Sequence, residues 1–132
     1  MFCLCCRNPR RPEQLELEWT FEGHYLGVVA LKFDHTGNTL ASVALDSTII
    51  LWDLSVGEQF RSIDPGPVNA WGIDFSPDSK YVATSAQSFK ILLYSTDTGE
   101  KLPQEYDTAA CPFVQCLALV SIMIYCKLFD LM

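Results

Sequence analysis

The sequence predicts an all-β chain made by repeating one four-stranded antiparallel unit. Three observations carry that expectation. Between residues 15 and 110, short runs rich in β-branched and aromatic residues alternate with clusters of turn formers. No segment of this zone holds a helical apolar period for long. Slid along itself until Phe33 meets Phe75, the chain aligns with itself without gaps.

The elements follow in order. Residues 28–33 (VVALKF) put Val29, Leu31 and Phe33 on one face of a strand, because side chains alternate across a strand. Residues 39–45 (TLASVAL), 47–54 (STIILWDL), 69–75 (NAWGIDF), 80–86 (KYVATSA) and 90–95 (KILLYS) are of similar length and composition. Turns are expected at 35–38 (HTGN), 55–58 (SVGE), 76–79 (SPDS) and 96–100 (TDTGE), where Gly, Pro, Asn, Asp and Ser concentrate. Residues 1–14, rich in Cys and Arg with two prolines, show no stable element. Residues 113–132 turn abruptly apolar.

The offset that sets Phe33 on Phe75 is 42 (75 − 33). It also sets Ala41 on Ala83, Ile49 on Ile91, Leu51 on Leu93 and Gly57-Glu58 on Gly99-Glu100. Trp52 falls on Tyr94. A period in the low forties with four short strands is what a β-propeller blade requires.

The first repeat also holds Gly23-His24, then Ser42, then Asp46, then Trp52-Asp53. With these residues in register, the chain resembles the WD-repeat family. The fold expected is an incomplete WD-repeat β-propeller: about two full four-stranded antiparallel blades, near 23–63 and 65–106, plus partial flanking strands. Residues 15–119 would be the propeller portion, with 1–14 and 120–132 outside the blade pattern. The resemblance implies a buried polar network in which His24 bridges Asp46 and Ser42, and Ser42 accepts the indole N–H of Trp52. Such a network spares buried groups a desolvation cost of roughly 1–3 kcal/mol each. The second repeat departs from it. Pro65-Gly66 replaces Gly-His, Ser88 stands for the Asp, Tyr94 for the Trp, and Thr84 for the Ser, so packing has to hold that blade.

The segments WTFEGHYLGVVALKF, LDSTIILWDLSVGEQFRSID and GPVNAWGIDFSPDSKYVATS are similar to the seven-bladed WD-repeat subunit shared by the superkiller (Ski) RNA-decay complex and the Paf transcription elongation complex. That resemblance implies a non-catalytic scaffold with Ski- and Paf-type protein partners, located in nucleus and cytoplasm. Propellers of this family usually bind peptides where first strands begin, which makes Val29, Leu45, Trp71 and Gln87 candidate partner contacts. Exposed apolar groups with one aromatic anchor are a common binding design. The competing reading makes Val29, Leu45 and Trp71 core residues.

Composition narrows the function classes. The chain has 132 residues and a formal charge of −7. From Glu13 to Ala110 fifteen acids face five bases, which disfavours direct nucleic-acid binding and suits basic protein partners. Six cysteines (3, 5, 6, 111, 116 and 126) form no CxxC pair, so neither a metal site nor any cofactor is expected. Their absence from 7–110 argues for a reducing compartment. His24, Ser42 and Asp46 offer the residue types of a hydrolase triad, yet Ser42 sits in no GxSxG elbow, so the chain is not expected to be an enzyme. Two full blades and fragments of two more leave open edges, which points to a truncated product, a splice form or an incomplete gene prediction. The run at 113–126 is short for a membrane span, and a membrane contact is disfavoured. The alternative function is a truncated, membrane-tethered or non-functional fragment that competes with a full propeller.

Overall fold

The computed structural model describes residues 2–8, 11–66, 70–86 and 90–107. Every element among them is a β-strand. β1 (Phe2–Asn8) and β2 (Arg11–Phe21) form an antiparallel hairpin. β3 (Val28–Phe33), β4 (Thr39–Ala44), β5 (Ile49–Asp53) and β6 (Glu58–Ile63) make a four-stranded antiparallel sheet in sequence order. β7 (Ala70–Phe75), β8 (Tyr81–Ala86), β9 (Lys90–Ser95) and β10 (Lys101–Asp107) make a second. The all-β fold in repeated four-stranded units expected from the sequence is what the chain adopts.

The hairpin is a departure from expectation. Residues 1–14 showed no element in sequence, yet Phe2–Asn8 is extended and paired along its length with β2. Its pattern, FCLCCRN, alternates too weakly to mark a buried face. The partner strand is what makes it a strand. Residues 108–132, which include the end of the expected propeller portion and the apolar tail, lie outside the described residues.

The turns repeat as the strands do. Gly37 closes the β3–β4 turn at φ 77, and Ser79, its counterpart in the next repeat, closes the β7–β8 turn at φ 58. In both turns the residue after the first strand bonds across to the next. Asp34 N–H donates to Thr39 O, and Ser76 N–H to Tyr81 O, each at 2.9 Å.

Strand alternation sorts the first sheet into two faces. Ala41, Val43, Ile49 and Leu51 share one face, and Leu40, Ser42, Ile50 and Trp52 the other. The second sheet closes on the first of these faces. Ile73, Phe75, Val82, Leu92 and Tyr94 join it in one buried cluster, with Ile63 of β6 at its border. β7 lies against β3 and β4. On the opposite face of the first sheet, Phe21 of β2 packs with Leu40, Ile50 and Trp52. Its ring meets Trp52 edge-on at a centroid distance of 4.9 Å. β4 and β5 are therefore buried on both faces, as a sheet sandwiched between neighbours must be. Lys32 and Asp74, which hold the same place in successive repeats, join the two sheets by an ion pair of 3.0 Å.

Candidate functional site: a buried polar network and an apolar rim

The segment 22–27 leads into β3, and the turn 45–48 joins β4 to β5. Between them lies a chain of polar side chains. The Trp52 indole Nε1–H donates to Ser42 Oγ at 2.8 Å. Ser42 Oγ lies 2.7 Å from His24 Nε2. The other ring nitrogen, Nδ1, lies 3.0 Å from Thr48 Oγ1 and 3.3 Å from both carboxylate oxygens of Asp46. Asp46 in turn accepts the Thr48 hydroxyl at 2.6 Å, the Thr48 backbone N–H at 3.0 Å and the Tyr25 backbone N–H at 2.8 Å. The structure thus brings His24, Ser42, Asp46 and Trp52 together and adds Thr48, which the strand pattern alone had made a β5 flank.

The proton directions follow from the partners. Nδ1 faces a carboxylate, so it carries the hydrogen. Nε2 is then the acceptor and takes the Ser42 O–H. Ser42 keeps a lone pair for the indole N–H. Assigned this way, the neutral imidazole has both nitrogens satisfied. Its side chain is almost wholly buried. Burial lowers its pKa below the ordinary histidine value and outweighs the opposing pull of Asp46. For Asp46, burial alone would raise the pKa. The Thr48 hydroxyl, the backbone N–H groups of Thr48 and Tyr25, and His24 outweigh it and hold the carboxyl at about 2. The network locks the 22–27 segment to the β4–β5 turn and both to β5.

This geometry does not suit a hydrolase. Ser42 is fully buried and already receives the Trp52 indole N–H, whereas a nucleophile has to meet substrate.

The second sheet has no such chain among its described residues. The Thr84 hydroxyl donates to Gly72 O at 3.0 Å instead. Tyr94 fills the place of Trp52, and its buried hydroxyl has no hydrogen-bond partner. Burial, with the charges of Glu105 and Asp64, pushes that phenol up to about 12. Ser88 lies outside the described residues.

The candidate contact residues separate. Val29 packs in part against the core cluster between the sheets. Leu45 is 49% exposed and Trp71 44%. Gln87 lies outside the described residues. Val29 and Trp71 sit at matching bulges, where β3 and β7 each carry one residue more than their partner strands, and a bulge re-aims its side chain. The structure adds two residues that sequence pattern had not singled out: Tyr25 is 92% exposed and Leu26 also points to solvent. Both belong to the segment that the network holds. Leu45 N–H donates to Gly27 O at 2.9 Å, so the apolar residues at 25–26 and 45 share one rim. No group of His, Cys, Asp and Glu among the described residues could hold a metal. No described helix is long and apolar enough to cross a membrane.

Two four-stranded antiparallel units stacked face to face, one of them pinned by a His–Ser–Trp–Asp network, define a repeat segment of a β-propeller. The chain belongs to the WD domain, G-beta repeat family, whose model matches residues 15–53 and 59–95. It is 40% identical over 88 residues to WD repeat-containing protein SL1-17 of Schistosoma mansoni, covering 67% of this chain and 29% of that protein. It is 32% identical over 78 residues to WD repeat-containing protein VIP3 of Arabidopsis thaliana, covering 59% and 24%. Among solved structures it is similar to U3-55K, with a TM-score of 0.60 and 25% identity, over 65% of this chain and 28% of that one. The chain therefore spans less than a third of these relatives. WD-repeat proteins typically act as scaffolds in protein–protein interactions, generally without catalysis, and work within multiprotein complexes.

Proposed function

We propose that this chain serves as a non-catalytic scaffold and that Tyr25, Leu26, Leu45 and Trp71 form its contact surface for a protein partner. The observation that carries this reading is a set of large apolar side chains left in solvent, of which Tyr25, Leu26 and Leu45 flank the residues of the buried network and Trp71 sits on the β7 bulge. A preorganised rim loses little freedom on binding, and an exposed Trp is a favoured anchor. The acidity of the 13–110 stretch favours a partner whose flanking residues are basic.

The finer reading is that the partners are Ski- and Paf-type complexes, reached in cytoplasm and nucleus respectively. The segments GPVNAWGIDF and LDSTIILWDL support it. Two further relatives are named as subunits, one of eukaryotic translation initiation factor 3 and one of chromatin assembly factor 1, which fits a role inside a larger assembly. The test is affinity purification of the tagged chain with identification of what accompanies it. Ski or Paf subunits are expected with the natural chain and should be lost from a Leu45→Asp, Trp71→Ala variant whose circular dichroism is unchanged. Recovery of the same subunits with that variant would sink the rim as the contact surface. Their absence from the natural chain would sink the finer reading.

A further inference from the structure

Where an outer strand meets the turn of the following sheet, the two repeats share a geometry and differ in chemistry. At the repeat offset of 42 (99 − 57), Trp19, Leu54, Val56 and Gly57 have Arg61, Thr96, Thr98 and Gly99 as counterparts. In both repeats a side chain of the outer strand covers the glycine of the next turn. Gly57 lies so close under the Trp19 ring that a Cβ there would collide with it. Gly99 lies under Arg61, whose Cδ would be 3.1 Å from such a Cβ.

In the second repeat these places are polar and bond largely among themselves. Arg61 Nη2 donates to Asp97 O. The Thr96 hydroxyl donates to Lys80 O at 2.9 Å, and the Thr98 hydroxyl accepts the Glu100 N–H at 3.2 Å. In the first repeat the same three places are apolar. Trp19 and Leu54 are partly buried against Phe21, Leu40, Ile50 and Trp52. Val56 is 56% exposed in the turn, and Phe60, on the β6 bulge, is 47% exposed. This patch lies at the end of β5 opposite the one that Leu45 precedes, and apart from the buried cluster between the two sheets.

The charges beside the patch have one sign. Asp53 and Glu58 bound the turn and stand directly opposite each other in the β5–β6 ladder. Like charges so placed repel. The matching residues of the second repeat, Ser95 and Glu100, carry a single charge between them and are joined by a backbone bond of 2.9 Å. Asp53 accepts the Ser55 hydroxyl at 2.6 Å and the Ser55 N–H at 2.8 Å, bonds that favour its ionised form. Among the described residues neither Asp53 nor Glu58 has a basic partner. Arg61 is turned to Asp97, and Lys101 to Glu105.

We infer that Trp19, Leu54 and Val56, together with Asp53 and Glu58, form a docking site for a protein segment that carries a large apolar side chain beside a lysine or arginine. The apolar side chain covers Val56 and the exposed parts of Trp19 and Leu54. The base sits between the two carboxylates and relieves their repulsion. Directly opposed strand residues have Cβ atoms about 4.5–5.5 Å apart, within reach of one cationic head group. The acidity of residues 13–110 adds long-range attraction for such a segment. The site is separate from the rim at the other end of β5, so one chain can hold two partners, and it stands whether or not the rim binds.

The probe is a short synthetic peptide with one leucine followed by two lysines in a glycine–serine background, titrated into the isotopically labelled full chain. Saturable NMR shifts are expected at the Val56 methyls and the Gly57 amide, half-complete below about 1 mM. Thr98 and Gly99, the polar counterparts in the same molecule, should not move. Val56→Thr, at an exposed position and of equal size, should weaken binding about fourfold or more, the effect of losing one methyl group from the contact. Glu58→Gln should weaken it too and flatten its dependence on salt. A peptide with glutamates in place of the lysines should not bind, a control that needs no variant to fold. Absence of saturation overturns the inference. So do equal shifts at Thr98 and Gly99, binding indifferent to Val56→Thr, or binding of the glutamate peptide. Shifts confined to Tyr25, Leu45 and Trp71 would overturn it by assigning the peptide to the rim. Shifts at Val56 that grow with chain concentration alone would overturn it in favour of a second copy of the chain.

Discussion

Ser42 is the hinge of the buried network, and Ser42→Ala is its sharpest test. The substitution removes one oxygen and leaves two partners unsatisfied. The Trp52 indole N–H loses its acceptor at 2.8 Å, and His24 Nε2 loses the hydroxyl at 2.7 Å. Trp52 and the His24 side chain are almost wholly buried, so water cannot replace what is lost. An unsatisfied buried group costs about 1–3 kcal/mol, which gives roughly 2–5 kcal/mol for the pair. Thr84→Val is the matched control, because Thr84 holds the same place in the next repeat but makes a single bond, to Gly72 O. Its loss should cost about 0.5–1.5 kcal/mol. Urea unfolding followed by tryptophan fluorescence and circular dichroism measures both, with equal slopes required so that midpoints compare. If Ser42→Ala costs no more than Thr84→Val, the network is not what holds the first blade.

Acid should destabilise the chain in two steps. The folded state holds His24 below its ordinary pKa of 6.5. The unfolded chain therefore takes up that proton first, and stability falls as pH drops below about 6.5. His24→Gln should abolish this first slope in pH-dependent unfolding. Asp46 is held at about 2 against an ordinary 3.8, so its contribution is full above 3.8 and is lost between there and about pH 2. Tyr94→Phe removes a buried hydroxyl that has no partner, and should leave thermal stability unchanged or raise it by about 1 kcal/mol. A loss would show that the hydroxyl is satisfied. Gly57→Ala would set a Cβ against the Trp19 ring at φ 72, costing more than about 1 kcal/mol and raising exchange in β2 before the blades.

The strands and turns were legible because each repeats a simple pattern: period-two apolarity between Gly, Asn, Asp and Ser clusters. His24, Ser42, Asp46 and Trp52 were legible as polar residues at fixed steps in an apolar setting. Thr48 was not. A threonine before β5 reads as a β-branched strand residue, and only the fold shows its hydroxyl between His24 and Asp46. Leu45 and Trp71 stood undecided between core and rim, since strand alternation gives the face of a residue but not whether anything covers that face. Tyr25 and Leu26 follow a motif whose information lies in His24, so their own exposure went unread. The hairpin was hidden because its strands run on past the point where β5 and β6 stop, pairing as far as Asn8 and Arg11. β1 therefore lies 47 residues before β5 (49 − 2) instead of 42, and it matched nothing when the sequence was slid along itself; β2, β6 and β10, poorer in alternating apolar residues, do not read as strands from sequence either.

One blade carries the network and the next does without it, and the two are held in different ways. The face of the second sheet that holds Thr84 and Tyr94 is closed by a complete neighbouring sheet, and Ile73, Phe75, Val82 and Leu92 are all buried there. Packing of that extent fixes strand order without directional bonds, because slipping a strand's register by a single step would turn its apolar set away from the neighbour. On the equivalent face of the first sheet, Phe21 of β2 packs with Leu40, Ile50 and Trp52, and the Gly23–His24 segment lies beside Ile50, Trp52 and Ser42. Hydrogen bonds fixed in length and direction, running from Trp52 through Ser42 and His24 to Asp46, add to that packing and tie the 22–27 segment to the sheet. Ser42→Ala should therefore loosen the first sheet locally before it unfolds the pair. Amide exchange in Ser42→Ala that rises equally across both sheets, instead of first in 22–27 and β4–β5, would refute this local role of the network.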